Sequence, residues 1–326
     1  MTIFFSRWFI TMTDENQTSS SAQSVEFILL LIVEIPSMCC TLLILIYFVL
    51  HCRTMITKAL RNHVILLLTI MSFLYISFDL PFTINSYRLN FDQPRTKSFC
   101  LWWYWLDYVL VVGSLLLAAT ASVQRHVLIF NFQFFHRKSL RIVFHYCPLI
   151  ICILYPPIFY FVLIYFYPCE YSLVDDDQHC IYPCYLDNTI LFNIDWLVNT
   201  LIPVFVIVLA NLVLITRVVR SLRKFRRRKI LILKRQRKLL IELLLISSLY
   251  AIGWGPSTVV SVIEQFFLPN LTSNIPELNY LDYISYFVCP LQPFTCLIIS
   301  PELITWFRKF FKRSIIHPEI FIQNIH

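Results

Sequence analysis

The sequence predicts an all-α membrane protein in which seven transmembrane helices form a bundle and a short amphipathic eighth helix follows. Of the 326 residues, 58% are hydrophobic and only 14% are charged, whereas a soluble domain usually carries about 25% charged residues. Seven apolar stretches are each long enough for a helix, rising about 1.5 Å per residue, to cross a hydrocarbon core about 30 Å thick. These stretches span residues 25–50, 63–86, 101–124, 142–167, 190–216, 239–267 and 280–300.

The basic residues predict how the helices are oriented in the membrane. Of the 27 Lys and Arg residues, 23 follow the first, third, fifth or seventh stretch, and 12 of these lie from Arg217 to Lys238. Connections rich in Lys and Arg stay in the cytoplasm, so we expect a multi-pass protein of the plasma membrane with its N-terminus outside the cell. The lipid bilayer is then the partner of the basic segments. The same bias accounts for most of the net charge of +8, and nucleic-acid binding is not predicted.

The chain is predicted to contain one domain between two short tails. Residues 1–24 form an extracellular tail, residues 25–300 the membrane domain, and residues 301–326 the amphipathic helix and a cytoplasmic tail. The eighth helix is predicted because Phe307–Arg313 places apolar residues at i, i+3 and i+4 with bases between them. A helix of this kind lies along the inner membrane surface.

Features of the predicted outer loops agree with this orientation. Asn16 and Asn270 each begin an Asn-x-Thr sequon for N-glycosylation, and both lie on the predicted outer side. The second outer loop contains Cys169, Cys180 and Cys184, and disulfides form in extracellular surroundings.

Several residues follow one another in an informative order along the third, sixth and seventh stretches. Cys100 opens the third stretch, and Arg125 closes it 25 residues later within the triplet Gln124-Arg125-His126. Trp254-Gly255-Pro256 lies in the sixth stretch, and Gln292-Pro293 lies in the seventh. In this order and spacing the chain resembles the rhodopsin-like G-protein-coupled receptors. It resembles a divergent, orphan member of the kind produced by invertebrate lineage-specific expansions.

The chain departs from the family pattern where relatives usually carry charge. Gln124 replaces the acid that precedes the arginine, and Gln236 replaces a second acid at the foot of the sixth helix. We therefore expect either raised ligand-free activity or a resting contact of Arg125 made elsewhere. Ser72 replaces an aspartate that coordinates sodium in many relatives, so no sodium dependence is expected.

The resemblance implies a receptor that binds an extracellular ligand and activates a heterotrimeric G protein by conformational coupling. It implies a disulfide from Cys100 to the second outer loop, with Cys180 preferred and Cys184 as the alternative partner. It also implies that Trp254 moves when ligand binds. The residues assigned to coupling and switching are Gln124, Arg125, His126, Gln236, Pro256 and Pro293.

Acidic residues in the outer halves of the helices predict the charge of the ligand. Asp107 lies 18 residues before Arg125, which is five turns at about 3.6 residues per turn, so the two share one helical face. By the family pattern, Asp195, Asp282 and Tyr286 also point into the ligand cavity. An ionised carboxylate inside a membrane bundle is costly unless it is paired, and the outer halves of the stretches contain no Lys or Arg.

The predicted ligand is therefore a cation, either a biogenic amine or a basic peptide. For Asp195 and Asp282 a simpler interpretation is available, because both lie near helix starts, where the helix dipole favours an acid. The predicted ligand contacts are Asp107, Tyr286, Asp282, Asp195 and Trp254.

Other functions fit the sequence less well. An enzyme is not predicted, and neither is a metal or cofactor, because the chain has no metal-binding motif and its three glycines leave no phosphate-cradling loop. A seven-helix ligand-gated channel of the chemoreceptor type would have its N-terminus inside, against the charge bias. A decoy receptor without G-protein coupling is a further alternative, because the triplet at Arg125 is altered.

Overall fold

The computed structural model describes residues 19–51, 60–88, 96–130, 137–168, 183–224, 228–268, 271–299 and 303–308. Within these ranges the chain forms seven long helical runs, α1 to α7, and a short helix, α8; they contain no β-strand. The helices are α1 (Ser19–Leu50), α2 (60–88), α3 (Lys97–Phe130), α4 (Lys138–Phe166), α5 (189–224), α6 (Arg228–Phe266), α7 (280–299) and α8 (303–308).

Six of the helices are long and apolar enough to cross a membrane, and α7 completes the bundle. The spans found by length and hydropathy lie in α1 to α6. The seventh run is divided into the α-helical pieces Tyr280–Tyr283 and Val288–Ile299 and the 3-10 turn Ile284–Phe287 between them, and it packs against α1, α2 and α6. The third helix lies at the centre, in contact with α2, α4, α5 and α6. The predicted fold class, an all-α seven-helix bundle, is confirmed.

Three of the helices contain a π-helical turn just before a proline within the helix, and a fourth π turn, Val162–Phe166, ends α4 two residues before Pro168. Each of these π turns ends two residues before the proline. A proline lacks the N–H that would bond to the carbonyl four residues back, and its ring clashes with that carbonyl, so a widened turn relieves the strain locally. The π turns and their prolines are Tyr75–Asp79 with Pro81 in α2, Ile142–Tyr146 with Pro148 in α4, and Leu197–Leu201 with Pro203 in α5.

The pattern of burial is the one expected of a bundle in lipid. Large apolar side chains such as Ile32 and Phe205 are exposed on the outside of the bundle, where hydrocarbon would meet them. Polar side chains are turned inward instead, and Arg125 and Gln292 both have 0% exposure. Because lipid offers no hydrogen bonds, polar groups within the membrane must find their partners inside the protein.

The short helix α8 lies against the inner end of α1. Its Leu303 and Phe307 are buried, and the Trp306 ring meets the Tyr47 ring of α1 edge-on, with 5.4 Å between the ring centroids. The apolar side of the predicted eighth helix is therefore present at Phe307, while Arg308 is exposed. Residues 309–313 of that prediction lie outside the described residues.

The glycines beside Trp254 differ in what surrounds them. A Cβ added to Gly253 would overlap the Cγ2 atom of Val288 on α7, whereas a Cβ added to Gly255 would meet nothing within 4 Å. Val288 is buried, and as a β-branched residue it has few alternative rotamers. Gly253 therefore permits the close approach of α6 and α7.

We predict that Gly253→Ala destabilises the protein by about 1–3 kcal/mol through overpacking. The matched variant Gly255→Ala should be neutral, or more stable by about 0.5–1 kcal/mol, because alanine favours the helix. Thermal unfolding of the purified protein in detergent measures both changes. Equal behaviour of the two variants would show that α6 and α7 are not in close contact at Gly253.

Candidate functional site

A cavity lies between the helices in the half of the bundle that carries Cys100. We call this half outer and the half that carries Arg125 inner, following the predicted orientation. The cavity encloses about 930 Å³, counting its open mouth. Eight aromatic side chains contribute to its wall, namely Tyr75, Tyr104, Tyr108, Tyr160, Phe192, Trp196, Trp254 and Tyr286.

Four of the five predicted ligand residues line this cavity. Asp107 of α3, Asp195 of α5, Trp254 of α6 and Tyr286 of α7 all contribute to its wall. In the described part of the chain, the Asp107 carboxylate receives no hydrogen bond and is in no salt bridge. Asp107 thus presents carboxylate oxygens that are available to a ligand, on a cavity wall that includes eight aromatic side chains.

Asp195 differs from Asp107 because its oxygens already have partners. Oδ1 accepts hydrogen bonds from the Tyr160 hydroxyl at 2.8 Å and from Asn199 Nδ2 at 2.6 Å. Oδ2 accepts a hydrogen bond from the Tyr185 hydroxyl at 2.9 Å. All three donors are uncharged, so Asp195 is held without a cation.

Asp282 is not among the residues that line the cavity. It lies close enough to Glu264 of α6 for the two carboxylates to repel each other when both are charged. Glu264 Oε1 accepts a hydrogen bond from the Thr272 hydroxyl at 2.8 Å. The Ser285 hydroxyl donates to the backbone oxygen of Asp282 at 2.7 Å. The spacing of Asp282 and Tyr286 predicted one shared face in a regular helix, but Tyr286 belongs to the 3-10 turn Ile284–Phe287, which interrupts the α-helical periodicity after Asp282.

Another acid, Asp79, is buried in α2 and was not predicted from the sequence. It is the last residue of the π turn in α2, is 1% exposed, and accepts a hydrogen bond from Trp103 Nε1 at 2.7 Å. Trp103 lies one turn before Asp107 on α3. The carboxylates of Asp79 and Asp107 are close enough to repel each other when both are charged. An acid within an apolar span, two residues before Pro81, was the signal in the sequence that could have drawn attention to it.

In the inner half, Arg125 is buried and binds neutral partners on two other helices. Nη1 donates to the Ser247 hydroxyl of α6 at 3.2 Å, and Nη2 donates to Asn211 Oδ1 of α5. The Ser247 hydroxyl also donates to Asn211 Oδ1 at 2.8 Å, while Arg125 Nε has no hydrogen-bond partner among the described residues. We call Arg125, Asn211 and Ser247 the arginine clamp, because they join α3, α5 and α6.

Gln124 makes its hydrogen bonds to α4. Its Nε2 donates to the backbone oxygens of Phe144 at 3.2 Å and His145 at 3.3 Å, so its Oε1 accepts from His145 Nδ1 at 3.0 Å. His145 Nε2 is then an acceptor, and it lies 3.1 Å from His63 Nδ1 of α2. This directional chain of hydrogen bonds ties the inner end of α3 to α4 and α2.

The other predicted switch residues are found in varied surroundings. His126 Nε2 lies 2.8 Å from the backbone oxygen of Ala210 on α5. Pro256 and Pro293 lie inside α6 and α7. Gln236 belongs to α6, but its side chain lies outside those that the structure describes.

A buried polar group in the middle of the bundle joins α2, α6 and α7. Gln292 Oε1 accepts hydrogen bonds from the Ser72 hydroxyl at 2.8 Å and the Tyr250 hydroxyl at 3.2 Å. Gln292 Nε2 is buried, and within the part of the chain that the structure describes it has no hydrogen-bond partner. The position where many relatives have an acid thus holds a hydroxyl that donates to an amide.

The cysteines predicted to form disulfides are partly described. Cys100 and Cys184 are each disulfide-bonded. Cys169 and Cys180 lie outside the described residues, so the pairing of Cys100 stays a prediction. The predicted glycosylation sites Asn16 and Asn270 also lie outside them.

These features define a seven-helix membrane receptor, with an outer cavity and an arginine at the inner end of its central helix. Comparison with protein families agrees, since the family described as 7 transmembrane receptor (rhodopsin family) matches residues 41–295. The chain belongs to this rhodopsin-like receptor family. A comparison with curated proteins finds no match.

We predict that sodium does not stabilise this receptor, because Ser72 offers no carboxylate and already donates to Gln292. Replacing sodium by potassium at constant ionic strength should leave the unfolding temperature of the purified receptor unchanged. The variant Ser72→Asp should become more stable in sodium, since it restores the missing acid beside Gln292. A wild-type protein that is stabilised by sodium would contradict the prediction.

Proposed function

We propose that this protein is a plasma-membrane receptor which binds an extracellular cation at Asp107 and activates a heterotrimeric G protein. Its N-terminus would be outside the cell and its basic inner connections in the cytoplasm. The observation that carries the proposal is the open carboxylate of Asp107 on the wall of an aromatic cavity. Membership of the rhodopsin-like family supports the receptor and coupling roles.

The chemistry of the cavity favours an organic ammonium group. An ionised carboxylate within a membrane bundle is costly unless it is paired, and a bound cation supplies that pair. Aromatic faces add a cation–π attraction of about 0.5–2 kcal/mol when the cation is desolvated. Tyr104, Tyr108 and Tyr286 line the cavity together with Asp107.

The arrangement of the acids favours an amine with one cationic centre over a dibasic or peptide ligand. Asp195 has its oxygens occupied by Tyr160, Tyr185 and Asn199, and Asp282 does not line the cavity. Asp107 is then the single acidic contact.

Coupling to the G protein would pass through the sixth helix. Trp254 lines the cavity, and Ser247 of the arginine clamp lies seven residues before it on α6, two turns away on the same face. We propose that ligand contact at Trp254 moves α6, opens the arginine clamp and exposes Arg125 to the G protein. No covalent chemistry is needed, because the ligand acts by favouring one of two conformations.

A screen of biogenic amines and amidated basic peptides on cells expressing the receptor, read by second messenger, tests the ligand class. A response to amines is expected. A response to basic peptides alone would favour the peptide alternative. Binding without second messenger would favour a decoy receptor, and a ligand-gated current would favour a channel.

We predict that Asp107→Asn raises the half-effective concentration of an active amine about 10- to 150-fold. A charge-assisted contact contributes about 1.5–3 kcal/mol, and each 1.4 kcal/mol corresponds to about tenfold. The control is Glu34→Gln, which removes an acid from α1 that does not line the cavity. Surface expression of each variant is measured with an N-terminal epitope on intact cells. An unchanged response of Asp107→Asn would remove the assignment.

We predict that Asn211→Ala and Ser247→Ala raise ligand-free signalling several-fold, because each removes a neutral partner that holds Arg125 in the resting state. The control is Ser122→Ala, which removes a hydroxyl that donates to the backbone of its own helix. Gln124→Asp should change ligand-free signalling little, because this side chain faces α4. Lower signalling in the clamp variants would mean that the clamp belongs to the active state.

A further inference from the structure

We propose that Asp195 is a positioning residue that holds the second outer loop at the cavity, and that it is not itself a ligand contact. The second outer loop is the connection between α4 and α5. Its described part includes the 3-10 turn Cys184–Asp187. The inference rests on the proposed ligand cavity for its consequence, but its test requires no ligand.

The hydrogen bonds of Asp195 leave little capacity for a ligand. Asp195 is 7% exposed, and its two oxygens accept three hydrogen bonds of 2.6–2.9 Å. The Asn199 amide that donates to Asp195 also donates to the Tyr160 hydroxyl at 3.2 Å, so the donors are linked to one another. A ligand ammonium would have to displace one of them to reach either oxygen directly.

The donors come from three different parts of the chain. Tyr160 belongs to α4, Tyr185 to the second outer loop, and Asn199 to the π turn of α5. Tyr160 also stacks on Tyr108 of α3, with 4.9 Å between the ring centroids. Asp195 thus connects the loop to the helices that form the cavity wall.

Tyr185 is the point at which the loop is held. It is 0% exposed and directly follows Cys184, which is disulfide-bonded. A disulfide limits how far the loop can move, but it leaves rotation about the bridge. The hydrogen bond from the buried Tyr185 hydroxyl to Asp195 Oδ2 then fixes this part of the loop in one position.

The predicted consequence is control of entry into the cavity. Tyr185 and Leu186 pack in one apolar cluster with Tyr108, Phe192 and Trp196, and the last three also line the cavity. Loosening the loop should therefore open the cavity to molecules of any charge. Removing a carboxylate that binds the cationic group of the ligand should instead slow the entry of cations relative to anions.

The experiment uses a cysteine reporter inside the cavity. Val111→Cys places a thiol on the wall, in a Cys289→Ser background because Cys289 also lines the cavity. The rates of modification by a trimethylammonium and by a sulfonate methanethiosulfonate reagent are measured on intact cells. The Cys289→Ser protein without the added cysteine is the blank.

We expect Tyr185→Phe and Asp195→Ala to raise both rates several-fold by a common factor. Asp195→Asn removes the same charge as Asp195→Ala but retains an acceptor for Tyr160 and Asn199, so its increase should be smaller. Comparing these two variants isolates the positioning effect from the charge effect. Asp107→Asn should lower only the ratio of the cationic to the anionic rate.

Two results would overturn the inference. One is an unchanged pair of rates in Tyr185→Phe, a variant that keeps every acid and removes one hydroxyl. The other is identical behaviour of Asp195→Ala and Asp195→Asn with only the charge ratio altered, which would make Asp195 a counter-ion. Failure of Asp107→Asn to alter the ratio would instead contradict the proposed cation site and leave the loop result standing.

Discussion

The membrane interior requires each polar group to be satisfied within the protein, and the arrangement of this bundle follows from that constraint. An unsatisfied group in hydrocarbon costs several kcal/mol, and no water is present to replace a missing partner. Polar side chains are accordingly gathered where helices meet, as at Arg125 with Asn211 and Ser247. A polar group without such a partner among the described residues is therefore informative, and the Asp107 carboxylate on the cavity wall is one.

At two positions along the bundle axis, Arg125 and Ser72 bind uncharged partners at points where the family pattern has an acid. Arg125 is held by an amide and a hydroxyl, and Ser72 donates to the Gln292 amide where relatives have an acid. The bond between Ser72 and Gln292 joins two neutral groups and contributes about 0.5–1.5 kcal/mol, whereas the Arg125 bonds keep a charged donor but lack an acceptor of opposite charge.

Much of the fold could be predicted from the sequence, because a hydrocarbon slab imposes a length and a polarity that are visible in composition. The inward face of Asp107 was also predictable, since it depends on helical periodicity alone. Asp79 was not, because its site depends on Trp103 of another helix. Asp195 was assigned from its place on α5, but its surroundings are set by donors 35 and 10 residues away in sequence.

The partners of Gln124 at the inner end of the bundle could not be predicted, for a similar physical reason. The identity of Gln124 was informative, but its partner was not visible in sequence, because His145 lies 21 residues away on α4. A glutamine can donate and accept at once, so it suits a position between two backbone carbonyls and an imidazole. An acid at this position could not donate to those carbonyls.

One stripe of α6 touches three polar regions of the bundle: the cavity, the group around Gln292 and the arginine clamp. Trp254 lines the cavity, Tyr250 donates to Gln292, and Ser247 accepts from Arg125. These residues are spaced at four and three positions, so they lie on one helical face. A rotation or tilt of α6 must alter all three contacts together, because a helix moves as a rigid element. Pro256, inside the same helix and two residues after Trp254, removes one backbone hydrogen bond of α6 beside the stripe.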